Sequence, residues 1–498
     1  MGLKLNSVKK NILFALNILL IVGLLSACTE VQPTMQVPPI LDPTQATLEA
    51  ESLTPYPTRP VYPPGTLVDY TAQNGDNLSA IASHFNTNVD EILEANPLMP
   101  KTITTLQAGF QIKIPIYYKA LWGSQFQIIP DSLFINGPAQ TGFDTNAFVD
   151  SSNGWLKNYS VLAGDIMRTG GDVIDYVAQT FSVSPRLLLA IAEYQTGALS
   201  QPDLDASLRT YPLGYADQFH KGFYLQLVWA ANQLNNGYYG WRNGKLGPLT
   251  RTDGTLEVPD PWQNAATVAL QYYFSQHYTI LEYTYAIREN GFYKTYMTLF
   301  GDPWANVQPH IPGNLQQAEM TLPFKAGKTW AYTGGPHSSW GDGEPFGALD
   351  FAPATATGGC GTTDEYVVAI ASGQIVRAEP AIAVLDLDGD GNERTGWVIF
   401  YLHLGLNDMV SQGKLVKTGD PIGHPSCEGG ESTGTHIHIA RKYNGEWIDA
   451  DGAVPFNMEG WIAKNGSTHY LGFLIRKGNV VVASESASGN SAITAGIK

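Results

Sequence analysis

The chain has 498 residues, of which 44% are hydrophobic and 15% are charged, enough for about three globular domains. Its formal net charge is −16 and its pI is about 5.0, which disfavours nucleic acid as a partner because phosphate binding requires a basic surface. We expect a multidomain α+β protein that is a monomer.

The N-terminus has the pattern of an export signal over residues 1–28. Lys4, Lys9 and Lys10 precede an apolar run over residues 12–25, and Cys28 follows the small residues Ser and Ala. This arrangement resembles a bacterial lipoprotein signal, which implies cleavage before Cys28 and lipidation of that cysteine. The predicted mature chain is extracytoplasmic and is anchored to the cell membrane by its lipid. A plain membrane anchor is the alternative, but the run is short for a membrane-spanning helix.

Residues 29–64 carry nine prolines together with many Thr and Gln residues and lack a core-forming pattern. This composition predicts a semi-extended linker that reaches away from the membrane.

Residues 66–117 predict a small unit of strand, helix, helix and strand. Gly75-Asp76-Asn77-Leu78 stands where a helix cap is expected, and apolar residues follow at helical spacing. The predicted elements are a strand around 68–70, helices from Leu78 and over 89–95, and a strand over 110–115. This βααβ unit resembles a LysM domain, which implies binding to N-acetylglucosamine-containing glycan of peptidoglycan. The residues implied are Gly75, Asp76, Asn77 and Leu78; the alternative is a structural module without sugar affinity.

Residues 118–315 predict a mainly helical middle domain, with helices over 173–180, 185–193, 224–235 and 261–274. Residues 183–197 resemble the first catalytic helix of lysozyme-like lytic transglycosylases. Gln195-Thr196 occupies the place of that family's Glu-Ser pair, and glutamine cannot protonate a glycosidic oxygen. Glu193 points about 200° around the helix from that position. We therefore expect either a degenerate lysozyme-like domain that binds glycan or an unrelated helical spacer.

Residues 316–480 contain the strongest chemical signal. In Thr435-His436-Ile437-His438-Ile439 the period-2 alternation of a strand places both histidines on one face. A second apolar strand ends at His403, and a lone carboxylate, Asp350, lies inside another. A buried carboxylate needs a partner, and a divalent metal would be one.

The order of these residues resembles the lysostaphin-type peptidoglycan endopeptidases over roughly residues 320–475. The common His-x-x-x-Asp spacing fails, because Phe346 stands four positions before Asp350. His337, in Gly-Gly-Pro-His, matches the longer spacing of the beta-lytic subgroup instead. The resemblance implies an antiparallel β-sheet peptidase domain with zinc held by His337, Asp350 and His438.

Two histidines remain beside these predicted ligands. Zinc activates water and polarises a carbonyl, and the chain has no His-Glu-x-x-His helix to supply a glutamate base. His403 and His436 are therefore the predicted catalytic residues, one as the base and the other stabilising the oxyanion, in an order that the sequence leaves open. The alternative is that both are ordinary strand histidines.

Two further features flank this site. An oxidising compartment permits a disulfide between Cys360 and Cys427, which we predict in preference to a zinc role. Asp386, Asp388 and Asp390 have the spacing of a calcium loop, but Trp397 stands where an EF-hand requires glutamate. The loop is either a calcium site of another type or a solvated acidic turn. The tail, residues 481–498, is predicted to be disordered.

The predicted function is hydrolysis of peptide bonds in peptidoglycan stems or cross-bridges by a zinc endopeptidase that LysM targets to the wall. The alternative is a non-catalytic peptidoglycan-binding scaffold or activator of a separate wall hydrolase. A further hypothesis is self-inhibition, in which the loop over 334–347 or the middle domain covers the zinc.

Overall fold

A computed structural model describes residues 59–119, 121–354 and 359–496 of the chain. Cys28, the predicted signal and nearly all of the proline-rich linker lie outside these residues. Within them, no helix combines the length and the apolar character needed to cross a membrane.

The N-terminal module has the predicted βααβ order. Its elements are β1 (Thr66–Thr71), α1 (Leu78–Phe85), α2 (Val89–Ala95) and β2 (Gln111–Ile116). β1 and β2 pair antiparallel, and alternate residues such as Tyr70 and Ile112 enter a small core with Phe85. The Asn77 side chain accepts a hydrogen bond from the Ala80 N–H and so caps α1 within the predicted capping stretch, residues 75–78.

The middle domain is mainly helical, as predicted, and adds two short hairpins. Its helices are α3 (Asp131–Phe134), α4 (Thr145–Asp150), α5 (Gly170–Phe181), α6 (Pro185–Thr196), α7 (Phe223–Arg242), α8 (Ala265–Ser275), α9 (Ile280–Ala286) and α10 (Lys294–Phe300). Its strands are β3 (Ser160–Ala163), β4 (Ile166–Thr169), β5 (Leu249–Thr250) and β6 (Leu256–Glu257). Ser184 caps α6 before a proline at its first turn, and Gly197 ends it in the left-handed conformation.

The C-terminal domain is built on an antiparallel sheet, as predicted, and this sheet has nine strands. The strands of this domain are β7 (Thr329–His337), β8 (Ala348–Pro353), β9 (Val367–Val368), β10 (Gly373–Glu379), β11 (Ile382–Asp386), β12 (Trp397–Leu402), β13 (Leu415–Val416), β14 (Pro421–Gly423), β15 (Ile437–Tyr443), β16 (Glu446–Trp447), β17 (Asn457–Met458), β18 (Trp461–Lys464), β19 (Phe473–Arg476), β20 (Asn479–Val482) and β21 (Ala492–Thr494). The order in the large sheet is β13-β10-β11-β12-β15-β8-β7-β21, with β16 paired to β15.

Both faces of this sheet are covered. Ile399 and Ile439 enter the core of the C-terminal domain itself, whereas Phe400 and Ala440, one position further along, pack in the same hydrophobic cluster as the helices of the middle domain. His438 lies two residues before Ala440 on β15, so it shares the face that the middle domain covers.

The tail prediction is wrong. Residues 492–494 form β21, which pairs with the first residues of β7, and Ile493 is buried. Without the tail, β7 would be an edge strand whose outer N–H and C=O groups have no strand partner. The tail pairs with these groups although it is rich in Ser, Ala and Gly.

The N-terminal module packs against α7 of the middle domain. The His84 ring stacks on Trp241 with a centroid distance of 3.6 Å, and its Nε2 lies 2.9 Å from the Trp241 carbonyl oxygen. The Ser83 hydroxyl donates to the Gly244 carbonyl. Burial, together with the charge of Arg242, lowers the pKa of His84 from 6.5 to about 3.

We therefore expect acid to weaken the fold through His84. The folded state disfavours the charged ring, so the stabilisation is complete above pH 6.5 and is lost as the pH falls toward 3. At pH 4.5 the loss from this partly buried ring should be about 2 kcal/mol in the free energy of unfolding. Urea unfolding at pH 7.5 and 4.5 checks this, with His84→Gln as the variant that does not titrate. Equal pH dependence in the two proteins would contradict it.

Candidate metal centre

The three predicted ligands meet at one point of the large sheet. Asp350 on β8 and His438 on β15 are register partners, and His337 ends the neighbouring β7. His337 Nε2 lies 3.1 Å from His438 Nδ1 and 3.3 Å from Asp350 Oδ1, and His438 Nδ1 lies 3.5 Å from Asp350 Oδ1. All three residues are buried.

Backbone carbonyls fix the tautomers of the two histidines. The His337 Nδ1–H donates to the Gly335 carbonyl at 2.8 Å, and the His438 Nε2–H donates to the Ser339 carbonyl at 3.1 Å. Each ring therefore turns its lone pair, on Nε2 of His337 and Nδ1 of His438, toward Asp350.

This donor set fits a divalent cation. Asp350 Oδ1 is buried without a hydrogen-bond partner, and the two lone pairs converge on it. Two imidazole nitrogens and one carboxylate oxygen form the ligand set of an open zinc site. Gly334 allows the close packing, because a Cβ there would lie 2.5 Å from Asp350 Oδ2.

The electrostatics of the three groups agree with this geometry. Burial alone would raise the pKa of Asp350, but the surrounding histidines hold that pKa well below its usual range. Burial opposes the charged form of His337, but the Asp350 carboxylate raises its pKa. Burial and the neighbouring His337 lower the pKa of His438 to about 3. The carboxylate is therefore ionised and His438 is neutral near pH 7, as metal ligands must be.

The structure also brings His403 and His436 to this site. Their ring centroids are 4.5 Å apart, and His436 Nε2 lies 3.8 Å from Asp350 Oδ2. The His403 Nδ1–H donates to the Glu428 carbonyl, and the His436 Nδ1–H donates to the Gly434 carbonyl, each at 2.7 Å. Each ring thus keeps Nε2 as an acceptor. Burial, then the charge of His436, lowers the pKa of His403 to about 4, so His403 is neutral near pH 7.

Sequence reasoning missed Tyr470, which stacks on His337 with a centroid distance of 4.2 Å. Its loop pairs with the end of β7, because the Gly335 N–H donates to the Tyr470 carbonyl. No motif marks this tyrosine, since it follows the site in the chain by about 30 residues and stands in an irregular loop.

The loop over 338–347 borders the site and contacts the middle domain. The Asp342 N–H donates to Asn232 Oδ1, the Glu344 N–H donates to Asn236 Oδ1, and Lys245 bridges Glu344 to Asp449. Helix α7 therefore holds the segment that follows His337. The self-inhibition hypothesis, in which the loop or the middle domain covers the zinc, stays a prediction.

The predicted disulfide between Cys360 and Cys427 is present, with a Cα–Cα distance of 5.6 Å. Beside it, the Thr435 N–H donates to the Gly359 carbonyl, so the bridged segment supports Thr435 and His436, which lead into β15 and His438.

The calcium prediction gains no support. Asp386, Asp388 and Asp390 do lie together, with ligand atoms within 4.8 Å of one another. However, each carboxylate already accepts hydrogen bonds from its own loop, as Asp386 does from the Asp388 and Gly391 N–H groups. These hydrogen bonds are those of an acidic turn.

The predicted glycan-binding residues have structural roles in the N-terminal module. Asp76 accepts from the Tyr70 hydroxyl at 2.7 Å, Asn77 caps α1, and Leu78 is in the core. Gly75 packs against Arg242 of the middle domain, since a Cβ there would lie 2.7 Å from Arg242 Nη1. Their glycan role stays a prediction.

The middle domain does not place an acid at the lysozyme-like position. Glu193 is buried and accepts from the Leu199 N–H at 2.7 Å, so it stabilises the turn after α6. Gln195 accepts from the Tyr273 hydroxyl and donates to the Leu213 carbonyl. Both side chains are thus occupied by contacts that hold the helices together.

Comparison with known families assigns all three domains. The LysM domain matches residues 70–115, the LasA N-terminal domain matches residues 127–314, and peptidase family M23 matches residues 356–450. The match over the middle domain is thus to LasA rather than to a lysozyme-like family. The M23 match includes His403, His436 and His438, whereas His337 and Asp350 precede it.

Individual relatives agree. Protease LasA of Pseudomonas aeruginosa is 27% identical over 341 residues, which cover 65% of this chain and 75% of LasA. The beta-lytic metalloendopeptidase of Achromobacter lyticus is 27% identical over 186 residues, 32% of this chain and 46% of that protein. Among solved structures, the deep-sea M23 metalloprotease pseudoalterin is 26% identical with a TM-score of 0.29, covering 34% of this chain and 96% of its own. The chain is therefore a homologue of LasA and the beta-lytic metalloendopeptidases that joins a LysM domain, a LasA N-terminal domain and a domain of peptidase family M23.

Proposed function

We propose that the chain is a zinc endopeptidase that hydrolyses peptide bonds in peptidoglycan stems or cross-bridges. The observation that carries the proposal is the buried, unpartnered Asp350 Oδ1 between the lone pairs of His337 and His438. The homology to M23 peptidases supports the peptidase activity. The LysM domain supports the wall as the place of action.

We further propose that the enzyme works outside the cytoplasm, held to the cell membrane by a lipid on Cys28. The support is the sequence of the first 28 residues, which combines lysines, an apolar run and a cysteine after small residues. An extracytoplasmic location also agrees with the Cys360–Cys427 disulfide.

The residues at the site have different proposed roles in catalysis. Zinc, when bound by His337, Asp350 and His438, would polarise the scissile carbonyl and lower the pKa of a water molecule. His403 is assigned as the general base, because it is neutral near pH 7 and keeps Nε2 as an acceptor. His436, whose Nε2 lies 3.8 Å from Asp350 Oδ2, is assigned to stabilise the developing oxyanion.

A purified chain that begins at residue 29 tests the proposal, because it retains every described residue. Incubated with isolated peptidoglycan, it should release new amino groups and no new reducing sugar ends. A chelator should stop the release, and added zinc should restore it, because the donor set fits zinc. Reducing ends instead of amines would indicate a glycosidase and contradict the proposal.

The second candidate is a scaffold that activates another wall hydrolase. Binding to peptidoglycan without amine release, unaffected by chelation, would favour it. The five converging side chains argue against it, because a scaffold has no need for two histidines with acceptor nitrogens beside a ligand set.

A further inference from the structure

A short stretch of the chain lies against the LysM module in a way that the sequence did not predict. His310, Ile311, Pro312, Gly313, Asn314 and Leu315 connect the middle domain to the peptidase domain, and we call residues 310–315 the connecting segment. It contacts two loops of the module: the loop after β1, which carries Asn74 to Asn77, and the loop before β2, which carries Thr104 to Gln107. The two loops adjoin, because the Leu106 N–H donates to the Asp76 carbonyl at 2.7 Å.

The first loop holds the start of the connecting segment. The Ile311 N–H donates to Asn74 Oδ1 at 2.9 Å, and the Asn74 amide lies 2.6 Å from His310 Nδ1. On its other side, His310 Nε2 lies 2.6 Å from Glu446 of the peptidase domain. His310 thus joins the LysM loop to a strand of the peptidase domain.

The second loop holds the end of the segment through Thr105. The Asn314 N–H donates to the Thr105 carbonyl at 2.7 Å, and the Leu315 N–H donates to Thr105 Oγ1 at 2.9 Å. The Thr105 hydroxyl in turn donates to the Pro312 carbonyl at 2.8 Å. Backbone N–H and carbonyl groups of the segment, which turns at Gly313 and Asn314, therefore hydrogen-bond to the loop as those of a bound peptide ligand would.

Gly313 shows how closely the segment fits. Its N–H donates to Gln107 Oε1 at 3.2 Å, and a Cβ at this position would lie 2.9 Å from Gln107 Cβ and 3.0 Å from the Gln107 nitrogen. Any other residue would push the segment away from the loop.

The remaining side of the first loop is covered as well. The Arg242 guanidinium lies against Gly75 and donates to the Asn74 carbonyl, and the Asn77 amide donates to the Arg242 carbonyl. The surface expected to take glycan is therefore in contact with the chain's own residues on two sides.

We propose that the connecting segment is an internal ligand of the LysM module, which must leave before glycan can bind between these two loops. The proposal rests on the proposed function, in which the module binds N-acetylglucosamine-containing glycan. The segment is tethered at both ends, so it competes with glycan for the loops at a high effective concentration. The apparent affinity for glycan is then the intrinsic affinity multiplied by the fraction of molecules whose loops are free. Glycan binding would also break the link from Asn74 through His310 to Glu446, and so couples wall contact to the placement of the peptidase domain.

The first test releases the segment without changing the module. Gly313→Val clashes with Gln107, whereas Gly247→Val is the matched control, because a Cβ there meets nothing within 4 Å. In the chain from residue 29 onward, an N-acetylglucosamine oligosaccharide should bind Gly313→Val at least about tenfold more tightly than the wild type. The control should bind as the wild type does.

The second test locks the segment. In the Gln107→Cys, Gly313→Cys double variant the Cβ atoms start 2.9 Å apart, and an outward shift of about 1 Å gives a disulfide its usual Cβ separation. The oxidised protein should not bind the oligosaccharide and should regain binding on mild reduction. The wild type under the same reductant controls for the Cys360–Cys427 bridge.

Hydrogen exchange at the Ile311, Asn314 and Leu315 amides distinguishes failure of the internal-ligand proposal from failure of the glycan-binding role. Oligosaccharide should deprotect these amides in the wild type. Equal binding by the locked and reduced forms, with the amides still protected, would overturn the internal ligand while leaving wall binding intact. No binding by Gly313→Val, although its amides are exposed, would overturn both the internal ligand and the glycan-binding role of the module.

Discussion

Replacing His438 by alanine is expected to remove the metal and to reduce amine release from peptidoglycan at least about 10³-fold. His438 supplies one of the three predicted ligand atoms. Without it, only His337 and Asp350 remain, and two protein ligands are too few to hold zinc. Without the metal, neither water activation nor carbonyl polarisation remains. Zinc content and amine release, measured on the same preparation, check this.

The variant His403→Ala distinguishes the binding of zinc from the catalytic step. His403 is not among the clustered ligand atoms, so this variant should keep about the wild-type zinc content while kcat falls about 10²–10⁴-fold. His424→Ala is the control, because His424 donates to the Glu365 carbonyl elsewhere in the same domain and should change neither quantity. Zinc loss in His403→Ala, or full activity in His438→Ala, would contradict the assignment of ligands and base.

Replacing Arg242 by alanine is expected to have the largest effect on stability. Arg242 is buried where the three domains meet: its guanidinium lies 3.0 Å from Asp131 in the middle domain and 3.0 Å from Glu446 in the peptidase domain, and it donates to the Asn74 carbonyl in the LysM domain. The charge of Glu446 raises the pKa of Arg242 above its usual value although burial opposes this. Removing the cation takes the guanidinium partner from two buried carboxylates, which costs about 3 kcal/mol. The loss is not larger because Glu446 keeps its contact with His310 and Asp131 keeps its hydrogen bond from Asn264.

Urea unfolding of Arg242→Ala measures this loss, and Arg209→Ala is the control, because Arg209 is an exposed arginine of the same domain. Because the chain has several domains, circular dichroism and tryptophan fluorescence should be compared across the transition. A change below about 1 kcal/mol would show that the junction does not depend on this cation.

Local sequence pattern was sufficient to predict several helices and strands and the histidines of the candidate metal centre. The alternation in Thr435–Ile439 placed His436 and His438 on one face of a strand, because side chains of a strand have a period of 2 wherever it lies. The spacing of apolar residues gave α1, α5 and α6 for a similar reason, since helix geometry depends only on near neighbours.

The tail and the middle domain show where local pattern fails. Residues 492–494 lie in a tail rich in Ser, Ala and Gly, which predicts disorder, yet they pair with β7, because the open edge of the sheet supplies hydrogen-bond partners that are distant in the sequence. The lysozyme-like interpretation of residues 183–197 rested on one helix, and one helix of this pattern fits several folds.

By itself, the sequence predicted which residues meet at the candidate metal centre, namely two histidines and a carboxylate with two further histidines beside them, and it predicted a βααβ module near the N-terminus. Only the tertiary structure decided that Tyr470 stacks on His337, that Arg242 joins three domains, and that residues 310–315 contact two loops of the LysM module. The physical reason is the separation in sequence over which each kind of interaction acts. Strand and helix periodicity act between neighbours in the chain, whereas these contacts join residues far apart in sequence, whose meeting depends on how whole domains pack.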